Sequence, residues 1–206
     1  MVLSILLTAV IAYLLGNLNG AVIASSVIAH DDVRSHGSGN AGLTNFYRTY
    51  GARYALPVIL LDMGKTAAST LIGGYMFLCL YEDWTLGVLV AGLGCIIGHV
   101  FPAFYGFKGG KGILAGSILV IMLDWRMALV AWGLFVLAVV LTRYISLGSI
   151  CAAASVAVSA ILIYDRPVYI ILAAITAALV VWSHRSNIVR LVNGNENKFK
   201  WHVDPQ

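Results

Sequence analysis

The chain has 206 residues, and its composition and charge exclude most classes of protein before any motif is considered. Hydrophobic residues make up 60% and charged residues 11%, whereas soluble domains average about 45–50% and about 25%. A soluble globular enzyme, a disordered chain and a disulfide scaffold are therefore excluded, and a polytopic membrane protein remains. The formal net charge of +4 comes from basic residues scattered between apolar runs, which favours cytoplasmic loops over a nucleic-acid partner.

Seven apolar runs follow one another along the chain, and each predicts one transmembrane helix. Helices are expected because an open strand would leave backbone polar groups unpaired in lipid, and barrel strands would alternate in polarity. The predicted fold class is all-α, an integral membrane bundle of seven transmembrane helices that forms a single domain over residues 1–206. The runs cover residues 2–29, 54–80, 85–97, 112–123, 127–142, 146–164 and 167–183.

Two of these runs are short for a membrane whose hydrocarbon core is ~30 Å thick. The fourth run, residues 112–123, makes about 18 Å of helix, and the third, residues 85–97, is only slightly longer. We therefore expect the loop between them, residues 98–111, to dip into the cytoplasmic leaflet under a cover of protein. Local thinning of the bilayer is the alternative explanation.

The basic residues are divided unequally between the two sides that seven spans would create. One side holds two, Arg126 and Arg166, and the other holds ten. Because cytoplasmic loops carry the excess of Lys and Arg, we expect the amino terminus outside and the carboxyl terminus in the cytoplasm. The ten are Arg34, Arg48, Arg53, Lys108, Lys111, Arg143, Arg185, Arg190, Lys198 and Lys200.

The first polar segment, residues 34–48, combines glycines with short hydrogen-bonding side chains, within a cytoplasmic loop at about residues 30–53. Glycine permits positive φ and close approach to a ligand, and successive backbone N–H groups in such a loop can form an anion-binding nest. A flexible turn with capping residues is the alternative. The polar candidates in this segment are Ser38, Gly39, Asn40, Thr44, Asn45 and Arg48.

The second polar segment, residues 98–112, places Lys108 and Lys111 on either side of two glycines. Two ammonium groups on such a loop, just before an apolar helix, suit a phosphate or another anion. The spacing is not that of a Walker A loop, and snorkelling lysines are the alternative. His99, near the start of the segment, is either a base or a helix-end histidine bonded to the backbone.

The third polar segment, residues 184–198, begins where the last apolar run ends. If that helix continues inward, His184, Asn187 and Arg190 share roughly one face, with Arg185 beside them. A positive-inside flank is the alternative for the arginines, but it does not explain the histidine or the asparagine. We expect the three segments to converge in one positively charged cup, which suits a phosphate-bearing substrate next to a hydrophobic chain.

One further pair of charges lies inside the second apolar run. Asp62 and Lys65 are three residues apart, and opposite charges at this spacing within a membrane predict an ion pair. A structural pair is favoured over a catalytic one. The sequence carries neither a cofactor fingerprint nor a cluster with metal-ligand spacing, so no cofactor and no metal are expected.

The polar segments resemble those of the bacterial acyl-phosphate:glycerol-3-phosphate acyltransferases, the PlsY family. The likeness extends from about residue 16 to about residue 198, and its three main motifs are long enough to be highly specific. Two shorter stretches, at the charged pair and after the fifth run, also fit. The matching stretches are residues 37–48, 62–65, 98–112, 143–149 and 184–198.

The resemblance implies an enzyme that moves a fatty acyl group from acyl phosphate to the 1-hydroxyl of glycerol 3-phosphate, giving lysophosphatidate and inorganic phosphate. It implies direct transfer that uses neither acyl-CoA nor acyl carrier protein, with a soluble acyl-phosphate synthase as the upstream partner. It also implies a multi-pass protein of the bacterial inner membrane, in contact with membrane lipid, whose active site faces the cytoplasm.

If the resemblance holds, both substrates carry phosphate, and the chemistry of two anions suggests roles for the motif residues. Basic side chains and the backbone N–H groups of residues 38–40 and 109–110 would bind phosphate, while His184 and Asn187 would orient glycerol 3-phosphate. A substrate phosphate oxygen would take the hydroxyl proton, with His184 or His99 as the competing base. The catalytic candidates are Ser38, Arg48, Lys111, His184 and Asn187. The substrate-binding candidates are Gly39, Asn40, Thr44, Asn45, His99, Lys108, Gly109, Gly110, Ser146, Ser149 and Arg185.

Two other classes of protein fit part of this pattern. A small anion transporter would gather the same residue types, but it should carry basic residues near the midplane and often shows repeat symmetry. An intramembrane serine hydrolase would pair Ser38 with His99 or His184 and would react with a serine-directed probe.

Overall fold

The computed structural model describes residues 1–199, and the regular secondary structure within that range is helical. Lys200, one of the ten basic residues assigned to the cytoplasmic side, lies outside the described residues. The chain divides into two compact units, of which the first contains Met1–Leu119 and the second begins at Val120. Each unit is an assembly of packed helices.

The first unit contains five complete α-helices and the start of a sixth. α1 packs against α4 and α5, and α4 packs against α5, while the shorter α2 and α3 lie against α4. The helices are α1 (Val2–Gly16), α2 (Gly20–Ala24), α3 (Leu43–Tyr50), α4 (Ala55–Tyr81), α5 (Trp84–Val100) and α6 (Ile113–Leu123).

The first apolar run, predicted as one helix, is broken in the structure between α1 and α2. Asn19 is extended, with φ −82° and ψ 112°, and its side chain accepts a hydrogen bond from the backbone N–H of Val22 as the N-cap of α2. Asparagine amides compete with the backbone for hydrogen bonds, which is why a helix ends readily here. Asn17 and Asn19 are both fully buried, and a π-helical turn, Ser25–Ala29, follows α2.

Glycines set how closely α1 and α5 approach each other. A Cβ on Gly16 would overlap the carbonyl oxygen of Cys95, and a Cβ on Gly98 would overlap the carbonyl oxygen of Tyr13. Small residues allow helix backbones in a membrane to pack in this way. The end of α5 is therefore fixed beside the chain break that follows α1.

α5 is longer than its sequence predicts. The helix continues past Ile97 to Val100, and with the 3-10 turn Ala103–Tyr105 it forms an apolar segment of 22 residues that is long enough to cross a membrane. The prediction of a short third span is wrong, because the buried His99 is accommodated inside the helix by a side-chain partner. α6 has 11 residues, about 17 Å of helix, which confirms the short fourth run.

The described part of the second unit, as far as residue 199, contains four complete α-helices. α7 packs against α8, and α8 packs against α9 and α10. The last helix does not continue straight inward, the condition on which a shared face of His184, Asn187 and Arg190 depended, because α9 and α10 meet at His184 with a bend of 56°. His184 has φ −91° and ψ 6°, outside the α-helical region, and this conformation ends α9. The helices are α7 (Trp125–Thr142), α8 (Ile145–Ile163), α9 (Pro167–Ser183) and α10 (Arg185–Val192).

Within residues 1–199, five helical segments are long and apolar enough to cross a membrane, and a sixth qualifies if α9 and α10 count as one span. Large apolar side chains on these segments, such as Leu60, Leu141 and Leu162, are exposed at the surface. Extensive exposed apolar surface of this kind fits contact with lipid. The chain is therefore an all-helical integral membrane protein, while the count of seven spans and their orientation stay predictions.

Candidate active site

The loop of the first motif is organised by the side chain of Asn45. This buried amide accepts a hydrogen bond from the N–H of Ser38 at 2.9 Å, and it donates to the carbonyls of Val33 and His36 at 3.0 Å each. Gly37 has φ +55°, and a Cβ there would overlap the Asn45 oxygen. The amide is bonded on both sides and so shapes the loop, while the predicted contact of Asn45 with substrate stays a prediction.

The same loop uses part of the backbone that was predicted to bind phosphate. The N–H of Ser38 donates to Asn45, and the N–H of Gly39 donates to the carbonyl of His36 at 2.9 Å. These two N–H groups are therefore engaged within the protein in this structure. Among the side chains of this motif, those of Ser38 and Arg48 are exposed, and Asn40 and Thr44 are half-buried.

Direct hydrogen bonds join the first motif to the second. The side chain of Asn19 donates to the carbonyl of Ala41 at 3.1 Å, and the N–H of Ala41 lies 3.4 Å from the carbonyl of Gly109. Arg34 donates to the carbonyls of Tyr105 and Lys108 at 2.8 Å and 3.4 Å. The expectation that these two segments meet is confirmed.

Arg34 is itself held by a neighbouring carboxylate. Its Nε lies 3.0 Å from Asp32 Oδ1 and its Nη2 lies 2.8 Å from Asp32 Oδ2. These hydrogen bonds from Arg34 hold the pKa of Asp32 below its ordinary value, and they raise the pKa of Arg34. Paired, charge-assisted bonds of this kind fix a guanidinium in one orientation. Arg34 thereby links the two motifs, a role that no sequence pattern had indicated.

The glycines of the second motif lie against His99. The N–H of Gly110 donates to the carbonyl of His99 at 3.1 Å, and a Cβ on Gly110 would overlap the ring nitrogen Nε2 of the same histidine. A Cβ on Gly109 would overlap the His99 carbonyl. Lys108 is exposed and Lys111 is half-buried at the two ends of the glycine pair. Neither glycine tolerates a side chain without movement of α5 or of the loop.

A buried polar cluster lies at the chain break between α1 and α2. Lys65 Nζ is 2.8 Å from Asp62 Oδ1, so the ion pair predicted from their spacing forms. Lys65 also donates to the carbonyls of Gly16 and Leu18 at 3.0 Å and 2.8 Å, while the N–H of Gly20 donates to Asp62 at 3.1 Å. The pair thus supplies partners for backbone groups that the break leaves without helical ones.

In the second unit, a carboxylate that had no predicted role gathers three polar side chains. Glu196 Oε1 accepts from Ser146 Oγ at 3.0 Å and from Asn187 Nδ2 at 2.9 Å, and Oε2 accepts from Arg190 Nε at 2.8 Å. Burial raises the pKa of Glu196, but these hydrogen bonds outweigh it and leave the pKa below its ordinary value. Glu196 lies in the third motif, just after Gly194, which has φ +70°. Its position after a glycine turn was the sequence signal that could have marked it as a site residue.

The remaining candidates of the second unit have individual partners. The Nδ1 of the buried His184 lies 2.8 Å from the carbonyl of Val180, which can only accept, so a neutral ring carries its proton on Nδ1. Ser149 donates to the carbonyl of Ile145 within its own helix at 2.9 Å. Arg185 is exposed and stacks on the Trp182 ring, with 4.0 Å between its Cζ and the ring centroid. Their substrate contacts stay predictions.

No group of three or more His, Cys, Asp or Glu residues within residues 1–199 is arranged to hold a metal ion.

The chain matches proteins of one family over nearly its whole length. The family model described as glycerol-3-phosphate acyltransferase matches residues 6–194. A protein of that name from Thermoanaerobacter sp. (strain X514) is 38% identical over 192 residues, 93% of this chain and 94% of the relative. Another from Shouchella clausii (strain KSM-K16) is 38% identical over 202 residues, 96% of this chain and 97% of the relative.

Two solved structures have the same fold. Both are crystal structures of PlsY (YgiH), described as an integral membrane glycerol 3-phosphate acyltransferase, and they cover 96% of this chain and 96% of their own. The glycerol 3-phosphate form has a TM-score of 0.84 and 33% identity, and the lysophosphatidic acid form has 0.81 and 31%. The chain therefore belongs to the glycerol-3-phosphate acyltransferase family, and it is an integral membrane acyltransferase.

Proposed function

We propose that this chain acylates the 1-hydroxyl of glycerol 3-phosphate, with acyl phosphate as the donor. The hydroxyl oxygen attacks the acyl carbonyl carbon, the bond from that carbon to the phosphate oxygen breaks, and phosphate leaves with the electron pair. Lysophosphatidate and inorganic phosphate are the products, and no cofactor takes part. The observation that carries the proposal is the junction of two glycine loops through Ala41 and Gly109, in a chain of this family.

The roles of individual residues follow the chemistry of two anionic substrates. Arg48, Lys108 and Lys111 offset the phosphate charges and stabilise the charge that develops on the leaving phosphate. Ser38 hydrogen-bonds the acyl phosphate, and His184 and Asn187 orient glycerol 3-phosphate. Holding both substrates in attack geometry supplies much of the rate, because acyl phosphate is already activated and needs no protein nucleophile. Substrate-binding roles for Gly39, Asn40, Thr44, Ser146, Ser149 and Arg185 belong to the same proposal.

The donor is tested with the purified chain in lipid bilayers, supplied with glycerol 3-phosphate and either acyl phosphate or acyl-CoA. We expect equal amounts of lysolipid and phosphate with acyl phosphate. Turnover should be at least about a hundredfold slower with acyl-CoA, whose acyl carbon is bonded to sulfur in place of the phosphate that the site binds. Arg48→Gln removes one positive charge from the first motif. Arg53→Gln is its matched control, because it removes the same charge from an exposed arginine outside the motifs. Comparable turnover of acyl-CoA would refute the choice of donor.

The same assay tests the route of the proton and of the acyl group. A substrate phosphate oxygen takes the hydroxyl proton in this proposal, and His184 is the competing base because its neutral ring leaves Nε2 as the acceptor. Near-normal kcat in His184→Ala at saturating substrate excludes the histidine, whereas a fall of about 10²–10⁴-fold supports it. A trapped acyl-Ser38 or ping-pong kinetics would contradict direct transfer.

The orientation and location belong to the same proposal. The excess of Lys and Arg in alternate connections favours motif loops that face the cytoplasm of a bacterial cell. The chain is then a single inner-membrane domain of seven spans, with its amino terminus outside. A soluble acyl-phosphate synthase then supplies the donor. Single cysteines introduced at positions 108 and 126 test this, since an impermeant thiol reagent should reach them from opposite sides of sealed vesicles. Labelling of both from one side would overturn the orientation.

A further inference from the structure

The two ring nitrogens of His99 have different surroundings. The side chain is buried, with 3% of the residue exposed. Its Nδ1 lies 2.9 Å from Lys65 Nζ, inside the polar cluster. Its Nε2 faces Gly110, and no atom of residues 1–199 forms a hydrogen bond with it. The residue is buried but Nε2 itself is not fully covered, and a polar atom next to a glycine loop without a partner in residues 1–199 can be completed by a ligand.

Lys65 determines which ring nitrogen of His99 carries the proton. An ammonium group donates hydrogen bonds and accepts none, so a proton on Nδ1 would place two donors face to face at 2.9 Å. The other neighbour of Nδ1 is Asp62 Oδ1 at 3.6 Å, which is too far to accept that proton. Nδ1 is therefore the acceptor, and the neutral ring carries its proton on Nε2.

We propose that His99 is a fixed Nε2–H donor to a phosphate oxygen of a substrate at the Gly109–Gly110 loop, and that Lys65 is the positioning residue that holds the ring in this tautomer. The inference rests on the proposed function and deepens it. It also removes His99 from the set of competing bases, because Nε2 already carries a proton and the lone pair of Nδ1 is occupied by Lys65.

Nε2 can lie this close to the loop because residue 110 has no side chain. A Cβ on Gly110 would overlap Nε2 and lie 2.7 Å from the carbonyl oxygen of Ala41. The backbone around Nε2 is held in place, since Ala41 is bonded to Asn19 and the Gly110 N–H is bonded to the carbonyl of His99. A donor that needs no reorganisation when charge arrives stabilises that charge more than a mobile one.

The tautomer is tested by nitrogen NMR of the chain labelled with ¹⁵N-histidine, in lipid and without substrates. The chain has five histidines, and His99→Gln assigns the signals of His99 by difference. We expect an unprotonated-type shift for Nδ1 and a protonated-type shift for Nε2, and we expect inorganic phosphate to move the Nε2 signal. A protonated Nδ1, or an Nε2 signal that saturating phosphate leaves in place, would overturn the proposal.

The donor role is tested by two amide substitutions with different reach. In His99→Gln the amide nitrogen falls near the position of Nε2, whereas in His99→Asn it falls near the position of Nδ1. We expect kcat/KM to fall by less than about tenfold in the first and by about a hundredfold or more in the second, as for loss of an oxyanion donor. A general base would lose about 10²–10⁴-fold in both.

An equally large loss of kcat/KM in both variants, with the fold verified by thermal melting, would refute the donor role. If the wild-type chain transfers no acyl group from either donor, the proposed function fails, while the tautomer and the phosphate response remain measurable by NMR. Lys65→Met adds a separate readout, because loss of its hydrogen bond to Nδ1 should yield a mixture of His99 tautomers in any folded fraction. An unchanged Nε2–H tautomer in that variant would show that Lys65 is not the positioning residue.

Discussion

Gly110→Ala is expected to lower kcat/KM by at least about a hundredfold, the largest effect on activity that the structure predicts for a single methyl group. The added Cβ would overlap His99 Nε2 and would press on the carbonyl of Ala41. Neither neighbour is free to retreat, since His99 is bonded to Lys65 and Ala41 is bonded to Asn19. The loop must therefore shift, and displacing reacting groups by about 1 Å costs about 10²-fold in rate.

Steady-state kinetics of acyl transfer in lipid bilayers measure this effect. Gly64→Ala is the matched control, because Gly64 lies within α4 and, apart from its chain neighbours and the nearby backbone of that helix, no described atom lies within 4 Å of its added Cβ. The control should keep wild-type kcat and KM and should be slightly more stable, since alanine favours helix over glycine by about 1 kcal/mol. Wild-type kinetics in Gly110→Ala would contradict the arrangement of the loop against His99.

Helices bounded by strong local signals were predicted well from the sequence. The run 167–183 coincides with α9, which begins at a proline, and the run 54–80 lies within one residue of α4 at each end. The break at Asn17–Asn19 was missed because apolar residues surround it and the asparagine side chains find partners far along the chain, at Phe104 and Ala41. A hydropathy average over many residues hides two polar ones, whereas the helix break depends on the hydrogen bonds that these two side chains form.

The candidate site shows the same division between local and distant information. Glycine loops flanked by cations could be recognised because the residues of each loop are contiguous in the sequence, and the first two loops meet in the structure. The contact of Arg34 with Tyr105 joins residues 71 positions apart, so no spacing rule could have indicated it. Glu196 was visible in the third motif, but its role depends on Ser146, which lies 50 positions earlier in α8. Long-range pairs of this kind require the folded chain.

Lys65→Met is expected to destabilise the protein by about 3–5 kcal/mol, the largest effect on stability predicted for an exchange of similar volume. The change leaves Asp62 as a buried, unpaired carboxylate, and breaking a buried ion pair in this way costs about that amount. The carbonyls of Gly16 and Leu18 lose a donor at the chain break as well. Unfolding by denaturant in lipid-containing micelles measures the free energy, and Lys108→Met, at an exposed lysine, is the control.

The double variant, Asp62→Asn with Lys65→Met, separates the cost of the unpaired charge from the cost of the lost backbone bonds. Each single change leaves one buried charge without its partner, whereas the double change leaves none. We therefore expect the double variant to lose less stability than the sum of the two single losses, with a coupling energy of about 0.5–3 kcal/mol. The double variant should stay below wild type, because Lys65 also serves the carbonyls of Gly16 and Leu18. Strictly additive losses would mean that the two residues act independently, which their 2.8 Å separation argues against.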